Sequence, residues 1–199
     1  MSGEIIRSFE APGGDPRGIA WDGKNLWVTD NEAVRIYQVN KDGVVIRSFA
    51  APAADPRGIA WDGKNLWVVH GTVNLIYQIT KNGVVIGSFA SPAAGTRGIT
   101  WDGKHLWLCA STVGLIYQMT KNGVVIRSFA SPALNPPGIA WDGKNLWVVD
   151  DSEDLIYQIT KNGVVIRSFD TPSLLTSSIT WDGKHLWACD GFTVEIYQM

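Results

Sequence analysis

"GIAWDGKNLWVVD" occupies residues 138–150, and nearly the same wording stands at 18–30, 58–70, 98–110 and 178–190. The tryptophans of "WDGK", Trp21, Trp61, Trp101, Trp141 and Trp181, follow one another at a constant 40 residues, with no insertion or deletion. A fixed period of a few tens of residues signals a repeat architecture, in which each unit buries its apolar face against the next copy. The 199 residues are therefore read as one repeat domain.

Each repeat holds four short segments rich in β-branched and aromatic residues, separated by turn signals. In the second repeat they are "RGIAWD", "NLWVVH", "LIYQIT" and "VVIGSFA". The first two are joined through Asp62-Gly63-Lys64 and the last two through Lys81-Asn82-Gly83, dipeptides that suit tight hairpins needing positive φ. No segment carries an apolar stripe at helical spacing, so the chain is expected to be all-β. Four antiparallel strands in every 40 residues describe a β-propeller blade.

The ends of the sequence separate a closed ring from an open stack. The chain begins "EIIRSF", a fourth strand without its first three, and ends "EIYQM", a third strand without its fourth. The two fragments make one blade, which predicts that residues 4–9 pair with residues 195–199 and close a five-bladed propeller. An open solenoid would need capping repeats instead. The ten tryptophans, with Ile19, Leu26, Ile36, Val45 and their equivalents, are assigned to packing between blades.

Bulk composition narrows the partners. With 45% hydrophobic residues, 18% charged residues and a net charge of −2, the chain is neither disordered nor basic enough for a general nucleic-acid binder. No apolar run approaches the roughly 20 residues of a membrane span. The opening "MSGEIIRSF" reads as repeat rather than as signal peptide. Cys109 and Cys189 hold the same position in the third and fifth repeats, which are not neighbours in a ring, so free thiols are expected. Free thiols fit a reducing, cytoplasmic compartment, and a monomer is expected.

Variation among the copies falls in two places. One is the second-to-third-strand loop: "TDNEAVR", "VHGTVNL", "CASTVGL", "VDDSEDL" and "CDGFTVE". The other is the link to the next blade: "APGGDPR", "APAADPR", "SPAAGTR", "SPALNPP" and "TPSLLTS". In an antiparallel blade both emerge at one edge, leaving the opposite face uniform with nine lysines against six aspartates. Loops on a rigid scaffold are where recognition resides, although neutral drift in loops would leave the same pattern. By count the variable face is acidic, which favours a cation, an amine, a basic peptide or a neutral polar ligand over a polyanion.

On that face Arg17, Arg57 and Arg97 begin the first strand of three blades, where Pro137 and Ser177 stand in the others. First strands line the channel, so these guanidiniums can gather at its mouth and hold a carboxylate or phosphate. The alternative is ion pairing with Asp30, Asp150 or Asp190 at the ends of second strands. Asp30, His70, Ala110, Asp150 and Asp190 share one ring position. Alternating Asp and His there could do acid-base or metal chemistry, or could simply cap loops. Asp150, Ser152 and Asp154 have calcium-loop spacing, but Leu155 and Lys161 stand where glycine and glutamate belong, so no metal or other cofactor is assigned.

The phrase "P…GIAWDGKNLWVVD…LIYQITKNGVVIRSF" resembles the repeat of NHL-type propellers and of the streptogramin lyase family, and the resemblance runs through every copy. It implies a propeller of such blades. Streptogramin lyases are seven-bladed, metal-dependent enzymes with a catalytic histidine, whereas this chain has five repeats and only His70 on its variable face, so no catalytic residue is carried over. The leading expectation is a non-catalytic binding propeller whose channel mouth takes a small polar ligand, a glycan or a protein segment. The alternatives are a lyase or hydrolase acting in the central cavity, and a recently amplified or engineered repeat scaffold with no evolved ligand.

Overall fold

The computed structural model describes residues 3–199; Met1 and Ser2 of the opening "MSGEIIRSF" lie outside the described residues. Strand β1 (Arg7–Glu10) comes first. Blade 1 follows as β2 (Pro16–Trp21), β3 (Leu26–Asp30), β4 (Arg35–Val39) and β5 (Val45–Ala50). Blade 2 is β6 (Pro56–Trp61), β7 (Leu66–His70), β8 (Leu75–Ile79) and β9 (Val85–Ala90). Blade 3 is β10 (Thr96–Trp101), β11 (Leu106–Ala110), β12 (Leu115–Met119) and β13 (Val125–Ala130). Blade 4 is β14 (Ile139–Trp141), β15 (Leu146–Asp150), β16 (Leu155–Ile159) and β17 (Val165–Asp170). Blade 5 is β18 (Thr176–Trp181), β19 (Leu186–Asp190) and β20 (Glu195–Gln198), completed by β1.

All five sheets are four-stranded meanders, and each first strand touches the first strand of the next blade until β18 meets β2 again. The ring is thus a closed five-bladed β-propeller. Its seam is the antiparallel pair of β1 with β20, in the register Arg7–Gln198, Ser8–Tyr197, Phe9–Ile196 and Glu10–Glu195. The Ile6 amide adds a bond to the Gln198 carbonyl at 2.7 Å. Strand pairing starts slightly later than residue 4 and extends through Glu10.

Apolar wedges fill the space between blades. Ala20, Trp27 and Ile36 of blade 1 meet Ile59, Leu66, Val68 and Ile79 of blade 2. Equivalent clusters join each later pair, and the last sets Trp187, Cys189 and Ile196 against Ile19, Leu26, Val28 and Val39 across the closure. Val45 and its equivalents are not part of this core: Val45 is 48% exposed, because the outermost strand lies beyond the wedge. Phe49 reaches inward from that strand instead, its ring 6.0 Å from that of Trp27.

The two tryptophans of a repeat do different work. Trp27, Trp67, Trp107, Trp147 and Trp187 are fully buried between blades. Each donates its indole N–H, at 2.8–2.9 Å, to the aspartate of its own "WDGK" turn. The other oxygen of that aspartate caps the turn amides at 2.7–3.0 Å. Trp21, Trp61, Trp101, Trp141 and Trp181 are only partly buried and ring the uniform mouth of the channel, around a space of about 80 Å³.

Lys41, Lys81, Lys121 and Lys161 each lie 4.3–4.5 Å over one of these partly buried rings. They also reach Asp182, Asp22, Asp62 and Asp102 of the preceding blade at 2.7–3.2 Å. A single aspartate therefore joins its turn, its own buried tryptophan and the neighbouring blade.

Two expectations follow. Burial alone would raise the pKa of Asp102, but bonds from Lys161, Trp107 and the His105 and Lys104 amides outweigh it and hold the carboxyl at about 2. Asp22, Asp62 and Asp182 are lowered for the same reasons. Carboxyls depressed in the folded state contribute their full stability above their unfolded value near 3.8, and lose it as the pH falls. The guanidinium unfolding midpoint should fall between about pH 4 and pH 2, and Asp102→Asn should remove its share of that slope.

The second concerns Gly58, where neighbouring first strands converge. A Cβ there would overlap the Arg97 carbonyl and stand 3.0 Å from the Gly98 Cα. Gly58→Ala should cost about 1–3 kcal/mol in urea unfolding, because backbone rather than a movable side chain must give way.

Candidate functional site

The five variable loops share one path. The residue just before the third strand has positive φ in every blade: Val34 at 52°, Asn74 at 51°, Gly114 at 61°, Asp154 at 55° and Val194 at 56°. The loops therefore differ in the side chains they present more than in backbone course, and those of blades 4 and 5 bring Asp151, Gly191 and Phe192 to the channel mouth.

A cavity of about 150 Å³ opens at the channel mouth on this face. Arg17, Arg57 and Arg97 line one side, from the first strands of blades 1, 2 and 3. Pro137, Leu175, Thr176, Ser177, Gly191 and Phe192 line the other, from blades 4 and 5, and Asp151 completes the wall. Pro137 also explains a local change in the fold. Prolines 136 and 137 offer no amide to the ladder, and β14 begins only at Ile139.

The arginines do not pair with Asp30, Asp150 or Asp190. Arg17 Nε lies 2.6 Å from Asp15 Oδ1, and Arg57 Nε lies 3.0 Å from Asp55 Oδ2, each within its own "DPR". The third copy reads "GTR", with no acid two residues back. Arg97 faces Asp151 of the next blade instead, at a loose 3.9 Å. Burial first, then the Arg57 and Arg17 charges, push the Arg97 pKa down against Asp151, whereas burial lifts Asp151 above the ordinary carboxylate value despite Arg97. Arg97 is the cation in this cluster least answered by the protein.

The remaining candidates are buried beneath the loops, outside the cavity wall. Asp30 accepts the amides of Asp15 at 2.8 Å and Ala33 at 2.9 Å. Asp150 accepts those of Ser152 at 2.9 Å and Leu134 at 3.3 Å. Asp190 takes the amides of Phe192 and Thr193 and the Ser173 hydroxyl. His70 donates from Nδ1 to the Ala54 carbonyl at 3.1 Å, sets its ring edge-on to Tyr77, and is pushed toward the neutral form mainly by burial. The three aspartates tie loops, and His70 ties one through Nδ1 while its Nε2 is buried with no hydrogen-bond partner.

Much of the counted acidity of this face is thus spent internally, and the mouth itself presents guanidiniums. The sequence counts Asp15, Asp55 and Asp151 only toward the charge of this face and places Ser177 only at an arginine position, and it gives no sign of Leu175 or Phe192 as lining. The "DPR, DPR, GTR" series held the signal for the ion pairs, because it shows where an arginine has an acid two residues away. Among the described residues, no group of three or more His, Cys, Asp or Glu side chains is placed to hold a metal ion.

Both cysteines are free and fully buried. Burial pushes the Cys109 thiol up to about 12 and raises Cys189 as well. Neither should react with a chromogenic aromatic disulfide at neutral pH in the native protein, and both should react once guanidinium unfolds it.

No family model and no curated protein matches the chain. Among solved structures, the glutaminyl cyclase of Myxococcus xanthus is similar at 10% identity and a TM-score of 0.83, covering 98% of this chain and 94% of its own. A catalytically inactive virginiamycin B lyase from Staphylococcus aureus, solved with quinupristin, gives 24% identity and a TM-score of 0.60. That match covers 92% of this chain, which spans only 65% of the lyase. A chain of the nidogen/laminin complex gives 19% identity and a TM-score of 0.65, covering 89% of this chain and 73% of its own. At such identities the likeness establishes the propeller fold alone, which enzymes and a binding assembly both use.

Proposed function

We propose that the protein is a non-catalytic binding propeller whose variable-face mouth holds a carboxylate borne by a small molecule, a glycan or a protein segment. One observation carries this reading: three guanidiniums from three consecutive blades converge on a single cavity of about 150 Å³. Guanidinium presents N–H donors in a fixed planar fork that matches a carboxylate. Arg97, loosely paired at 3.9 Å and crowded by two like charges, is the residue a bound anion would relieve most.

Asp30, Asp150 and Asp190 are occupied in tying loops and stand off the cavity wall, as does His70, which supports binding over turnover. The protein is proposed to act as a monomer. Nucleic acid and membranes are not expected partners, because Asp15, Asp55 and Asp151 already answer one arginine each and leave no large cationic field.

Calorimetric titration with acetate and glucuronate, against glucose as the neutral control, tests the reading. Both acids should bind and glucose should not. Arg97→Gln should weaken the acids by about 10–100-fold, the range for losing a charge-assisted hydrogen bond, with the unfolding curve little changed. Absence of carboxylate binding, or binding indifferent to Arg97→Gln, would overturn it.

A further inference from the structure

Resting on that reading, we infer that the ligand is an amphipathic monocarboxylate, its carboxylate on the arginine side of the mouth and a short apolar group on the blade 4–5 side. The scaffold is five-fold and the mouth is not. At the ring position of Arg17, Arg57 and Arg97, blades 4 and 5 place Pro137 and Ser177. Beside them Leu175 is 48% exposed and Phe192 is 73% exposed, although both lie on the wall of the same cavity. Large apolar side chains set at a concave mouth, directly across from a cationic arc, are a surface that a partly apolar ligand would cover.

Size and charge narrow the class. A cavity of about 150 Å³ takes a group as large as benzene, so it exceeds what acetate or a phosphate fills. Three arginines meet three aspartates around the mouth, which leaves directional N–H donors but little excess positive charge. That balance suits a single negative charge. Ser177 Oγ bonds the Leu175 carbonyl at 3.3 Å, fixing the strand start next to the apolar wall.

Two sources carry this chemistry: a free short-chain or aryl carboxylic acid, and the C-terminal carboxylate of a peptide ending in an apolar residue. Titrating the whole protein with 4-methylpentanoate, acetate, 3-methylbutanol and a tetrapeptide ending in leucine, as free acid and as amide, separates them. The branched acid should bind about tenfold or more tightly than acetate, as expected when several methylenes leave water. The alcohol and the amide should not bind detectably. A free-acid peptide that matches or exceeds 4-methylpentanoate assigns the site to chain termini, and one that fails while the small acid binds assigns it to metabolites; either outcome upholds the inference.

Leu175→Ser and Phe192→Ser, both at exposed positions, should bring the ratio of branched acid to acetate close to one without weakening acetate. Arg97→Gln should weaken both acids alike. If all carboxylates bind equally, or the serine variants leave the ratio unchanged, the apolar half is wrong while the carboxylate site stands. If no carboxylate binds, the underlying reading fails with it.

Discussion

One buried carboxylate, repeated around the ring, organises this propeller. In each "WDGK" turn the aspartate caps the hairpin with one oxygen and accepts a buried tryptophan N–H with the other. Four of the five also take a lysine from the following blade. The indole could not be buried between blades without an acceptor, since an unsatisfied N–H in that wedge costs about 1–3 kcal/mol. The aspartate could not be buried without cations and amides to offset its desolvation. Each requirement answers the other, and together they explain why Asp, Gly, Trp and Lys recur in every copy while the loops across the blade vary.

The same arrangement shows why the fold was legible. Strand period, Asp-Gly and Asn-Gly turns and the constant 40-residue step are local or arithmetical features, and the ring closes through the pair of β1 with β20. Where reading from the sequence missed, depth within the blade was the reason. Val45 looks like core in a one-dimensional pattern, yet the wedge between blades ends before the outer strand, and Phe49 alone reaches back to Trp27. The two tryptophans of a repeat look equivalent in composition, and only radial position separates the buried member from the one that floors the channel mouth.

The site was legible in one half. Arg17, Arg57 and Arg97 share a repeat position, so a ring places them together without any knowledge of side chains. Asp30, Asp150 and Asp190 share a position as well, but a strand-end carboxylate beside a tight loop finds backbone amides within reach before it finds a ligand. Shared ring position says which residues can meet on the axis. It does not say which have hydrogen bonds left to offer.

That distinction bears on how near-identical repeats come to differ where they meet. Five-fold repetition presents the axis with five equal contributions, and equal contributions give a ring of like charge whose mutual repulsion burial makes worse, as the lowered Arg97 illustrates. Blades 4 and 5 carry Pro137 and Ser177 at that position, with Leu175 and Phe192 on the wall beside them, so only three guanidiniums crowd the axis. The uniform face keeps the interblade carboxylates, where symmetry is cheap because each interface needs the same bonds. The variable face gives up symmetry at the one place where all blades meet, and a cavity with two chemically different walls is the result.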